Sequence, residues 1–135
     1  GNMSCAGDFY CWGTLHCYGS DKNRVVKTSK GNVAVSAYET AEPYFGDMGT
    51  GVIGDNGEAE VEIESVFQET VSIDGYLVFL QGKGIYVKEK RITSFVVAGG
   101  EPGQVFDWEI KARQKGNEEK RLERVEEVCY GNLSD

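Results

Sequence analysis

The first eighteen residues read as three copies of a six-residue unit, and no other feature limits the fold so tightly. Written in sixes, the chain places Gly1, Gly7, Gly13 and Gly19 in one column. Met3, Phe9 and Leu15 fill a second column, and Cys5, Cys11 and Cys17 a third. The phase returns at Gly31-Asn32-Val33-Ala34-Val35-Ser36. The third and fifth residues of each unit lie two apart, so in an extended strand they share a face. Met3, Cys5, Phe9, Cys11, Leu15 and Cys17 then form one apolar edge, with Tyr10, Trp12, His16 and Tyr18 opposite. A six-residue unit cannot bury its own apolar edge, and three copies are too few for a single-chain solenoid. Identical partner chains satisfy the pattern better, so residues 1–30 are expected to form a trimeric β-stem and linker. Fully extended, eighteen residues span at most roughly 60 Å. A glycine-rich meander with accidental spacing is the alternative, and three columns in register weigh against it.

The cysteines read first as small hydrophobes with inert thiols, interchain disulfides or metal binding being the alternatives. The sequence holds four cysteines and one His, without a CxxC pair or a Cys/His cluster, so no usual zinc set is expected. No cofactor is expected either. His16 and Cys17 are neighbours and would point to opposite faces of a strand, which argues against a Cys–His catalytic pair.

From residue 31 to 116 the pattern is that of an antiparallel β domain. Val33, Val35 and Ala37 alternate with polar or small residues. Pro43 breaks the run, and residues 44–53, punctuated by Gly46, Gly49 and Gly51, read as turns. Asp55-Asn56-Gly57 is a tight-turn signal. Ala59, Val61 and Ile63 alternate with Glu58, Glu60, Glu62 and Glu64, predicting a half-buried strand with a solvated acidic face. Residues 66–71 suggest one helical turn. Strands follow at 76–81, 85–88, 94–98 and 106–112, with a loop at 99–103. The expected class is all-β, a sandwich or partly closed barrel behind the stem. Residues 117–135 form a charged tail in which 118–128 would be either a short amphipathic helix or disordered.

The net charge of −8, from 14 basic and 22 acidic residues, argues against nucleic acid and anionic membrane surfaces as partners. No apolar run is long enough to span a bilayer, and no signal peptide is read at the N-terminus. The carboxylates, Asp107 and Glu109 among them, show no spacing that identifies a catalytic pair. The segment 46–51 lacks the Lys-Ser/Thr ending of a phosphate loop. Most aromatics fall on apolar strand faces. Tyr44 and Phe45, read as a loop after Pro43, are the best candidates for receptor contact.

Several blocks carry a family likeness: Gly19-Ser20-Asp21-Lys22-Asn23-Arg24-Val25-Val26, Tyr38-Glu39-Thr40 and Pro43-Tyr44-Phe45-Gly46-Asp47-Met48-Gly49-Thr50-Gly51. Further on stand Phe67 with Thr70-Val71, Val78-Phe79-Leu80-Gln81, Tyr86-Val87, Phe106-Asp107-Trp108-Glu109-Ile110-Lys111-Ala112 and Arg121-Leu122-Glu123. Their order resembles a C-terminal domain of phage and prophage tail-fibre-like proteins, also found in stem-bearing bacterial surface proteins. The resemblance implies a non-enzymatic structural and attachment module at a fibre tip, on a virion tail or cell surface. It would be made in the bacterial cytoplasm, trimerise through the stem and contact a cell-surface glycan or protein. Two features depart from it. Cys stands where the hexads usually carry a β-branched residue, and the connection from Phe79 to Tyr86 is short. A polysaccharide-degrading tailspike fragment and a monomeric bacterial β-sandwich scaffold are the competing expectations.

Overall fold

A computed structural model describes residues 2–19 and 21–126. The chain divides into two compact units, Gly1–Glu39 and Thr40–Asp135. In the first, no described residue from 2 to 19 belongs to a strand or helix, but the backbone bends at Ala6-Gly7, Trp12-Gly13 and Tyr18-Gly19, once every six residues. Gly13 and Gly19 take positive φ (124° and 62°), which only glycine adopts cheaply. Behind this segment, β1 (Asn23–Thr28) pairs antiparallel with β2 (Gly31–Ser36). The Thr28 hydroxyl donates to the Gly31 carbonyl at 2.7 Å and accepts from the Lys30 amide at 3.1 Å, closing the two-residue turn. Because Gly31–Ser36 ladders with β1, the unit boundary falls after Glu39 and not after residue 30.

The second unit holds β3 (Tyr44–Val52), β4 (Glu58–Glu62), α1 (Ser65–Thr70), β5 (Val71–Gln81), β6 (Tyr86–Lys90), β7 (Ser94–Ala98) and β8 (Val105–Gln114). They form two open antiparallel sheets, ordered β3-β8-β5 and β4-β7-β6, and neither closes into a barrel. This is an all-β, sandwich-like architecture. The expected strands and the helical turn are all present. No helix among the described residues is long and apolar enough to cross a membrane.

Residues 44–52, expected as turns, form β3 instead and pair with β8 along the whole length of β3. The reason lies across the sheet. A side chain at Gly51 would begin 2.3 Å from the Phe106 ring, and one at Gly49 would begin 2.6 Å from Trp108. The glycines are there to admit two large rings, so they mark close packing and not a break in the strand. Phe106 is buried, and Trp108 meets Phe95 of β7 edge to face at 5.8 Å. Ile53, Ile63, Val71, Tyr76, Phe95, Val97, Phe106, Ile110 and Ala112 complete one core drawn from both sheets. Each Val, Ile or Phe among them contributes about 1.5–3 kcal/mol by leaving water.

A bulge between Ser72 and Leu77, with Gly75 at φ 72°, turns Tyr76 into that core. Its hydroxyl lies 2.8 Å from the Arg91 carbonyl and 3.0 Å from that of Ser94, tying β5 to the β6–β7 turn. Burial pushes the phenol pKa up, against the opposing pull of the Arg91 hydrogen bond.

The first ten residues of the charged tail, 117–126, contain no helix. Asn117 and Lys120 amides close turns onto Gln114 and Asn117, and the Leu122 amide donates to the Ala41 carbonyl at 2.9 Å. Residues 127 and 128 of the expected helix lie outside the described residues.

Replacing Gly51 with Ala forces the buried Phe106 ring to move, so G51A should destabilise the domain by about 1–3 kcal/mol. A lowered urea midpoint at unchanged m-value would register this.

Candidate functional site

Alternation along β3, β8 and β5 separates two faces. Phe106, Trp108, Ile110 and Ala112 point into the core, so Val105, Asp107, Glu109, Lys111 and Arg113 point out. The register sets Thr50 and Gln81 on either side of Asp107, and Met48 and Phe79 on either side of Glu109. An open groove of about 670 Å³ runs over these rows. The Thr50 hydroxyl donates to Asp107 at 3.2 Å, and Lys111 pairs with Glu109 at 3.5 Å. Met48 and Phe79 keep 69% and 51% of their surface exposed and flank Glu109 on the same face. One row of the groove is therefore hydroxyl, carboxylate and amide, and the next is thioether, carboxylate and phenyl.

The two residues expected to contact a receptor are not brought together. Tyr44 and Phe45 open β3 and are not in a loop. As neighbours on a strand they point to opposite faces, Tyr44 opposite Arg113 and Phe45 opposite buried Ala112. The Tyr44 hydroxyl donates to Glu42 at 2.6 Å, and Arg113 and Arg121 pair with the same carboxylate at 3.5 and 3.3 Å. Tyr44 thus belongs to a clamp that holds residues 121–122 against the start of the domain.

Two carboxylates of the acidic face of β4 are also engaged. Glu58 pairs with Lys88, and Glu60 accepts from Arg91 at 3.2 Å and from the Ser94 hydroxyl at 2.8 Å. Among the described residues no group of three or more His, Cys, Asp or Glu gathers to hold a metal.

In the N-terminal unit, Met3, Phe9 and Leu15 are exposed, as are Trp12 and Tyr10. Cys5, Cys11 and Cys17 are free and exposed. The Cys5 thiol donates to the Gly7 and Asp8 carbonyls at 3.4 and 3.3 Å, and Cys11 to Gly13 at 3.8 Å. The same contact thus recurs six residues later, from cysteine to the glycine of the following bend. Val25, Val33 and Val35 on the hairpin are exposed too, and Val26 is the one described residue of this unit that is even half-buried.

The outer face of β3-β8-β5 was not singled out from sequence, although Met48, Phe79, Asp107 and Glu109 were each visible there. Alternation along β8 alone marks Asp107 and Glu109 as outward. Their neighbours become apparent only from the strand register. Comparison with protein-family models, curated proteins and solved structures found no match.

The clamp gives a pH dependence with a defined sign. The Tyr44 hydrogen bond, helped by the Arg113 and Arg121 charges, holds the Glu42 carboxyl below its ordinary value of 4.5. The folded protein therefore takes up that proton less readily than the unfolded chain. The stabilisation is complete above the ordinary value and is lost as pH falls through the folded one. Urea midpoints measured downward from neutral pH should fall below about pH 4.5, and E42Q should show a shallower fall over that window.

Proposed function

We propose that the chain is a structural and attachment module at the tip of a phage or phage-derived fibre. Residues 1–39 assemble three copies side by side, and residues 40–126 form the domain they present. The observation that carries this reading is the six-residue recurrence of backbone bends in a unit without a core. A two-stranded hairpin alone is marginal in water, and here it exposes three valines. The segment before it exposes Met3, Phe9 and Leu15, and its described residues form no ladder. Apolar side chains and extended backbone both call for neighbours, and parallel copies supply each with its like at every sixth residue. The ordered sequence blocks resembling tail-fibre C-terminal domains support the fibre setting. No catalytic step is assigned to the module.

Light scattering of the full chain should give three times the 14.9 kDa mass. Replacing Met3, Phe9 and Leu15 together by Asp should return it to one mass while leaving the near-UV spectrum of the β domain intact. Assembly along the cysteine column should also slow thiol labelling of Cys5, Cys11 and Cys17 relative to that variant. A wild-type chain that remains monomeric at high concentration overturns the reading.

A further inference from the structure

We infer that the groove on the outer face of β3-β8-β5 binds a short saccharide bearing a free amine. The inference deepens the attachment reading by naming the class of its receptor. A pyranose has two chemically different aspects: a rim of hydroxyls and an apolar face of C–H bonds. The groove offers a row for each. Thr50, Asp107 and Gln81 present hydroxyl, carboxylate and amide groups side by side. Two residues along each strand, Met48 and Phe79 stand exposed on either side of Glu109, a thioether and a phenyl surface for the C–H face. The volume of about 670 Å³ lies within the range of small-molecule sites and suits one or two sugar rings.

Charge selects among saccharides. Two carboxylates, Asp107 and Glu109, lie in the floor of the groove, and Lys111 beside them pairs with Glu109. Thr50 donates to one Asp107 oxygen, which leaves the carboxylate further acceptor sites. An ammonium group on the ligand meets this surplus through charge-assisted hydrogen bonds, whereas a uronate or phosphate would be repelled. An extended peptide fits less well. Strand addition needs a free sheet edge, and β8 at the centre of this face is paired on both sides, by β3 and β5. Recognition here has to run through side chains.

The test is titration of the full chain with the glucosamine disaccharide, its N-acetylated form, digalacturonate and tetralysine, followed by amide and Trp108 indole NMR shifts. Saturable shifts at Thr50, Phe79, Gln81 and Asp107 are expected with the glucosamine disaccharide. Binding at least about tenfold weaker is expected for the acetylated form, a loss of about 1.4 kcal/mol, and none for digalacturonate. D107N and F79A should each weaken binding by about tenfold or more at unchanged melting temperature. Should F79A fail to fold, E109Q serves in its place. The inference is overturned by absence of shifts on this face, by equal binding of the acetylated or acidic sugars, or by equal binding of tetralysine. Light scattering on the same samples separates the two readings. A trimer that ignores the amino sugar overturns the ligand alone, and a monomer that binds it overturns the stem alone.

Discussion

The β domain depends on two aromatic rings lying across a neighbouring strand that has no side chains beneath them. Phe106 occupies the space over Gly51 and Trp108 that over Gly49. Trp108 then reaches Phe95 on the other sheet, so the same contact that joins β8 to β3 also joins the two sheets. Everything on the outer face inherits its position from this. With Phe106, Trp108 and Ile110 fixed inward, Asp107 and Glu109 have to face outward, flanked by whatever β3 and β5 present at the same register. The groove is the outer consequence of an inner packing solution.

The two units are built on opposite logic. The β domain buries one apolar core drawn from both sheets and satisfies its buried polar groups. Tyr76 and Ser94 both have partners, and among the described residues no buried side-chain N or O atom lacks one. The N-terminal unit leaves Met3, Phe9, Trp12, Leu15, Val25, Val33 and Val35 exposed. That exposure, on a segment bent once every six residues, is the feature on which the proposed self-association rests. Its cysteines belong to the same column of positions, and each of the first two is held by the carbonyl of the glycine bend that follows.

The clamp around Glu42 shows how a polar cluster can resemble a recognition site in sequence and act as a fastener in three dimensions. Tyr44 stands beside Gly46 and Pro43, the usual company of an exposed loop aromatic. The fold gives its hydroxyl to Glu42 and sets two arginines on the same carboxylate, which secures Leu122 to Ala41. Glu58 and Glu60 are likewise absorbed into pairs with Lys88 and Arg91.

The sequence by itself determined the six-residue periodicity, the all-β class and strands at 59–63, 76–81, 85–88, 94–98 and 106–112, each within a few residues of an observed one. All of these rest on local alternation or recurrence, which short-range sterics translate directly into backbone shape. It did not disclose β1, whose Val25-Val26 pair sits among Asn, Arg and Lys without alternation. Nor did it disclose β3, whose glycines locally read as turns. Tertiary structure decided β3, because only Phe106 and Trp108, more than fifty residues away, explain why glycine belongs in a strand there. It also decided the candidate site. Met48, Thr50, Phe79, Gln81, Asp107 and Glu109 come from three strands, and only the hydrogen-bonded register of β3, β8 and β5 places them on one face.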